Sequence, residues 1–99
     1  MSTAPADEIW ITGIGLISSL GEGLDAHWQV MAEGADRAAP IDTTRFAPFP
    51  VYPMAPLELD KQIPRRADQR QMETWQRLGT YAAGLALDDS GLKGDLDRL

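Results

Sequence analysis

The sequence predicts an α/β protein, and three stretches carry the prediction. Ile9 to Ile14 reads Ile-Trp-Ile-Thr-Gly-Ile, a run of β-branched and aromatic residues suited to a strand covered on both faces. Leu24, Trp28 and Met31 recur at the spacing of a short amphipathic helix, and Met72, Trp75, Leu78, Ala82 and Leu85 recur in the same way over a longer one. A strand buried on both faces needs neighbours on both edges to pair its backbone groups. No second segment, apart from a short piece near Val51 to Leu57, offers them. The chain is therefore expected to be the opening of a larger α/β protein whose remaining strands lie beyond Leu99.

Taken in order, Met1 to Asp7 is small, polar and acidic and reads as a frayed leader, with the folded segment running from Glu8 to Leu99. The leader lacks the basic start and apolar stretch of a secretory signal. In the strand, a solvent-facing segment would alternate apolar and polar residues, and Ile9 to Ile14 does not. Gly13 and Gly15 weaken a strand by entropy, so they point to a close backbone approach, or to a bend where Leu16 to Leu20 leaves the sheet.

The first helix places Leu24, Trp28 and Met31 on one side and Asp25, Gln29 and Glu33 on the other, with Gly34 as terminator. His27 lies beside the apolar stripe. As the single histidine of a chain without cysteine, it reads as a half-buried packing residue rather than a ligand or base.

Ala38 to Pro64 holds six of the seven prolines, which rules out a helix or a central strand, because the ring fixes φ and removes a donor. An irregular, extended connection is expected. Pro50, Pro53 and Pro56 match the spacing of a PxxP ligand, but the interleaved Phe46, Phe49, Val51, Tyr52 and Met54 read as anchors onto the parent fold. Asp68 with Gln71 then resembles an N-cap and its reciprocal partner, opening a helix of roughly twenty residues that ends at Ser90 before Gly91. Gly79, Ala83, Gly84 and Ala86 on its other faces permit close approach, at about 1 kcal/mol of helix propensity per glycine, so the helix is expected to be sandwiched.

Composition narrows the function classes. With 99 residues, 43% of them hydrophobic and 24% charged, the chain has the make-up of an ordinary soluble globular protein and room for one small domain at most. A net charge of −6, spread along the chain, should repel nucleic acid and anionic lipid, so neither is an expected partner. The absence of cysteine excludes a disulfide framework, a thiolate zinc site and a cysteine nucleophile within these residues. No cofactor or metal is expected. With no apolar run approaching a membrane span, a cytoplasmic location is expected.

The glycine-rich opening does not cradle phosphate. Gly13 and Gly15 supply the first two glycines of a dinucleotide fingerprint, but Ser18 replaces the third and no acidic residue follows a second strand. The later run Gly21 to Trp28 lacks the Gly-Lys-Ser/Thr of a P-loop. These glycines read as structural, letting a buried strand turn tightly into a helix.

The string "WITGIGLISSLGEG", Trp10 to Gly23, closely resembles the start of the β-ketoacyl-acyl carrier protein synthases of the elongating, type II kind. Those enzymes open with a Val/Ile-Thr-Gly-Ile/Leu-Gly-x-x-Ser-Pro-Leu/Val-Gly pattern followed by a helix containing tryptophan. Trp28 and "MAEG", Met31 to Gly34, match that helix and its ending. "DQRQM", Asp68 to Met72, resembles the family's Glu-Gln-Arg-Lys-Met, and "ALDDSGL", Ala86 to Leu92, its Ala-x-x-Asp-Ala/Ser-Gly-Leu. The likeness runs from Ile9 to about Gly94. It departs at Ser19, where the family usually has proline, and in the middle region, which is unusually proline-rich and lacks the common Gly-x-Val strand ending.

The resemblance implies a thiolase-like fold of layered α-β-α-β-α halves, of which this chain would be only the opening segment. It also implies a homodimer or a heterodimer of related subunits, and a decarboxylating condensation of acyl and malonyl carrier-protein thioesters in fatty acid biosynthesis. In that chemistry a cysteine accepts the acyl chain and two histidines assist malonyl decarboxylation. Those residues come later in the family, so this segment is expected to hold no catalytic residue. The resemblance further implies that the basic residues at the start of the long helix meet the acidic acyl carrier protein. Arg70 matches one such position directly, with Arg65 and Arg66 beside it, while Gln71 stands where the family often has a base.

Charge alone leaves that assignment open. "KQIPRRADQR", Lys61 to Arg70, carries four basic residues against Asp68, which suits an acidic partner and equally suits a solvated loop before a helix. Two further readings stand beside the synthase: a noncatalytic, chain-length-factor-like partner, and a truncated fragment acting only by binding.

Overall fold

The computed structural model describes residues 7–34, 40–95 and 97. Apart from Asp7, the expected leader Met1 to Asp7 lies outside the described residues, as do Ala38 and Ala39 of the proline-rich connection.

Regular structure begins at a small antiparallel hairpin. Strand β1 (Ile17–Ser18) pairs with β2 (Gly21–Glu22) in the register Ile17 to Glu22 and Ser18 to Gly21. The Gly23 N–H donates to the Leu16 carbonyl at 2.8 Å and extends the pairing by one step. Gly21 has φ 133° and Gly23 φ 89°, conformations that favour glycine and let the chain reverse and pass straight into a helix.

Ile9 to Ile14 does not form the expected strand. The segment carries no ladder, and Ile9, Trp10 and Ile11 are 97%, 75% and 83% exposed. The reason is the one that its composition raised: among the described residues no extended segment pairs with its edges. The expected close backbone approach is present. A Cβ at Gly13 would run into the Ala86 carbonyl oxygen and meet Ser90 Cβ at 2.8 Å, and one at Gly15 would strike the Ala82 carbonyl oxygen and the Ala86 nitrogen. The two glycines thus seat the segment on the long helix, and the Ile14 N–H donates to Asp89 Oδ2 at 3.0 Å.

Helix α1 (Leu24–Glu33) ends at Gly34, φ 79°, as the spacing predicts. Its buried side differs from the expectation. His27 is the buried residue of the helix and Val30 is half-buried, whereas Trp28 and Met31 are 68% and 73% exposed and Leu24 is also open to solvent. The hairpin is too narrow to cover the apolar stripe, so the helix rests on β2 through its other side.

The connection that follows is irregular, with an isolated bridge between Asp42 and Val51 and a turn closed by the Asp42 side chain. From Val51 to Glu58 exposure alternates residue by residue. The Ala55 N–H of this extended stretch donates to the Ser18 carbonyl of the hairpin at 3.3 Å. The expected anchors Phe46, Phe49, Tyr52 and Met54 remain exposed, and Val51 is half-buried.

The long helix is divided. After a single 3-10 turn at Leu59–Lys61 comes α2 (Arg66–Gln71), then a break at Met72 and Glu73, then α3 (Thr74–Ser90). Asp68 is therefore not an N-cap but lies inside α2, paired with Arg65 at 4.0 Å. The capping box belongs to Glu73 and Gln76, and the Glu73 N–H donates to Gln76 Oε1 at 2.7 Å. Gly91 closes α3 in the left-handed conformation, φ 76° and ψ 7°. Gly84 faces the Gln62 side chain while Ala82 and Ala86, on the opposite side of α3, back onto Gly15 and Gly13, so the helix is covered on two faces and open on the one that carries Gly79 and Ala83.

Ile63 and Tyr81 are the buried hydrophobic residues among those described. The accessible surface of 7795 Å² exceeds the roughly 5,500 Å² of a compact folded monomer of this size. The radius of gyration, 17.5 Å, likewise exceeds the roughly 13 Å of a compact 100-residue domain. Among the described residues the core is thin, and many large apolar side chains are uncovered.

Candidate functional site

Pro64 cannot donate a backbone hydrogen bond, so the chain breaks between the 3-10 turn and α2, and Arg65 enters α2 in an extended conformation, φ −92° and ψ 118°. Arg66 and Arg70 then stand four residues apart on one side of α2. Both line a cleft of about 590 Å³ between α2 and the 3-10 turn, whose opposite wall includes Glu58 and Asp60.

A clamp of hydrogen bonds fixes α2 in place. Gln69 Nε2 donates to Asp60 Oδ1 and to the Ile63 carbonyl, each at 2.7 Å, which ties the helix to the turn before it. From the other side Arg77 Nε of α3 donates at 2.8 Å to the Gln69 carbonyl, which also accepts the Met72 N–H at 3.3 Å where α2 ends.

The electrostatics differ from the count made along the sequence. Glu58 and Asp60, just outside the basic run, fold back on it. Lys61 lies 3.6 Å from Glu58 and 3.7 Å from Glu22, Arg65 4.0 Å from Asp68, and Arg66 3.8 Å from Asp60. Apart from the half-buried Glu22, the paired side chains are exposed, and their attraction is weak and solvent-screened. Arg70 is the basic residue of the stretch with no carboxylate within ion-pair distance among the described residues. The structure thus brings Arg66 and Arg70 to one cleft, does not place Arg65 in its lining, and gives Arg65 and Arg66 an internal counter-ion. The acidic half of this face lies outside Lys61 to Arg70. The signal was present in "ELD", Glu58 to Asp60, immediately upstream.

His27 is not a free base. Its Nδ1 lies 2.7 Å from the Gly23 carbonyl, which can only accept, so Nδ1 carries the hydrogen. In the neutral ring Nε2 then accepts from the Ser18 hydroxyl at 2.6 Å, and Ser18 Oγ accepts the Leu20 N–H at 3.0 Å. Every polar atom of the pair is engaged in holding the hairpin to α1, which bears out a packing role. Nothing here favours the PxxP reading: Pro53 is half-buried while Pro50 and Pro56 are exposed, and exposure over Val51 to Glu58 alternates with a period of two rather than three.

Two other polar groups are tuned by their surroundings. Burial first, and then the hydrogen bond to Glu22, push the Tyr81 hydroxyl up to about 12. Asp88 is held below the usual carboxylate range by hydrogen bonds from Gln62 and Lys93. Among the described residues no group of three or more histidine, cysteine or carboxylate side chains could hold a metal ion, and no helix is long and apolar enough to cross a membrane.

Compared with known families, the chain matches the family described as beta-ketoacyl synthase, N-terminal domain, over residues 6–98. No curated protein and no solved structure matches it.

Proposed function

The chain belongs to the beta-ketoacyl synthase N-terminal domain family, whose fold is thiolase-like and whose members are condensing transferases, and from that premise we propose that it serves a type II 3-oxoacyl-acyl carrier protein synthase as the opening segment of its N-terminal half. The complete polypeptide would join acyl and malonyl carrier-protein thioesters by decarboxylating condensation in fatty acid biosynthesis, as a cytoplasmic homodimer or related-subunit heterodimer. The nucleophilic cysteine and the two assisting histidines would be supplied from beyond Leu99. On this reading the 99 residues are inactive alone, because they contain no cysteine and their one histidine is committed to the hairpin. The missing layers of the fold would cover Ile9 to Ile11 and the stripe Leu24, Trp28 and Met31.

In this scheme α2 is the face on which the acyl carrier protein docks, through Arg65, Arg66 and Arg70. The observation that carries it is the unopposed Arg70 beside Arg66 at the mouth of an open cleft. An acidic partner gains rate and orientation from such a patch. The test is carrier-protein affinity of the complete protein carrying Arg66→Glu and Arg70→Glu. Weaker binding at low salt, with the difference shrinking as salt rises, supports docking at α2. Equal affinity at low ionic strength overturns it.

The absence of cysteine keeps a second reading in view, a noncatalytic ketosynthase-like partner or a binding-only fragment. Reading the native coding message beyond Leu99, with the intact mass of the expressed product, separates them. A downstream cysteine and two histidines support the enzyme, a complete fold without the cysteine supports the partner, and a stop at Leu99 supports the fragment.

A further inference from the structure

The two oxygens of Asp60 do different work. Oδ1 accepts Gln69 Nε2 at 2.7 Å, while Oδ2 faces Arg66 Nη2 at 3.8 Å across the mouth of the cleft. Gln69 spends its other amide hydrogen on the Ile63 carbonyl, so Asp60 is held by a clamp that does not depend on Arg66. The Arg66 and Asp60 side chains are 79% and 59% exposed. Their attraction is therefore screened by water and yields readily to a competing carboxylate.

We infer that Asp60 is an internal counter-ion that competes with an acidic partner for Arg66, and so sets how tightly the α2 face holds that partner. The inference rests on the reading of α2 as a docking face. A partner that delivers a substrate and departs needs a contact that forms quickly and breaks quickly. Arg70, without a counter-ion, attracts the approaching acidic surface. Arg66 exchanges one carboxylate for another, so its release on dissociation leaves no charge unpaired. Because Gln69 anchors Asp60 through the other oxygen, the carboxylate stays at the mouth of the cleft throughout the exchange.

The substitution Asp60→Asn separates the two jobs, since the amide oxygen can still take the Gln69 hydrogen bond while the charge facing Arg66 is removed. Affinity for acyl carrier protein, measured by fluorescence anisotropy on the complete protein, should rise about two- to fivefold at low salt. The gain should vanish near 1 M salt, where screening reaches about 3 Å. In an Arg66→Gln background the same change should bring no gain. A gain that persists at high salt, or in the Arg66→Gln background, would mark a structural effect and overturn the assignment. If Arg66→Glu and Arg70→Glu weaken binding while Asp60→Asn leaves it unchanged, the counter-ion role is wrong and the docking face stands. If the reversals change nothing, both fall together.

Discussion

Tyr81 donates its hydroxyl to Glu22 at 2.5 Å, joining the middle of α3 to the second strand of the hairpin across 59 residues of sequence. Tyr81 is fully buried, and Glu22 also lies 3.7 Å from Lys61. The bond is charge-assisted, and such bonds contribute about 1.5–3 kcal/mol. Tyr81→Phe should therefore speed amide exchange at Gly23, whose N–H pairs with the Leu16 carbonyl, by about tenfold or more, measured by hydrogen exchange. Unchanged protection there would show that the hairpin is held by other means.

Burial of the Tyr81 hydroxyl, and then the same bond, set a pH limit. The Tyr81 hydroxyl is pushed from its ordinary value of 10.0 up to about 12, so the folded chain holds this proton more tightly than the unfolded one. Its contribution is complete below pH 10 and is lost as pH rises through about 12. Tyrosinate absorbance should follow that late titration in the wild type, with hairpin amides losing protection over the same window.

Asp42 should behave in the opposite sense. A side-chain hydrogen bond from Arg45, then backbone N–H groups of Thr44 and Arg45, hold its carboxyl well below the usual carboxylate range. The turn it closes is thus stabilised above the ordinary aspartate range near pH 3.9 and loosens as pH falls through the depressed folded value. Carboxyl chemical shifts titrating in the ordinary range would contradict this.

Glycine substitutions should divide by position. At Gly15 a Cβ would meet the backbone of α3, which cannot move aside as a flexible side chain could, so Gly15→Ala should release the N-terminal segment at a cost of about 1–3 kcal/mol. At Gly79 nothing lies within 4 Å, so Gly79→Ala should raise the helical circular-dichroism signal of the 99-residue chain, by about 1 kcal/mol of propensity. A fall in helicity for Gly79→Ala would reveal packing on that side of α3.

The uncovered apolar surface makes a prediction for the chain on its own. With Ile9, Trp10, Ile11, Trp28, Met31 and Trp75 each more than two-thirds exposed, it should self-associate at micromolar concentration and bind hydrophobic dyes. Sedimentation velocity and thermal scans over a concentration series check this. A sharp, concentration-independent transition of a monomer would overturn it.

Much of the local structure was legible in residue order. Spacing placed α1 and its stop at Gly34, α3 and its stop at Gly91, the irregular proline-rich connection, and the close approach at Gly13 and Gly15. These features depend on neighbours within a few residues, or on a side chain that is absent. Ordered motifs also revealed the family, which the match over residues 6–98 bears out.

Tertiary structure decided what needs partners distant in sequence. Ile9 to Ile14 has strand chemistry yet forms no ladder, because β pairing requires a second extended segment at its edge. The apolar stripe of α1 faces solvent, because only the narrow hairpin is available to cover it and His27 takes the buried position instead. The long apolar periodicity from Met72 onward gave no sign that Glu73, not Asp68, would cap α3, since both are acidic and both have glutamine three residues later. In the basic face, the order of residues shows four positive charges, whereas the geometry sets Asp60 against Arg66 and leaves Arg70 open. Charge along a chain is a count, but the field that a partner meets depends on which carboxylate folds back within reach.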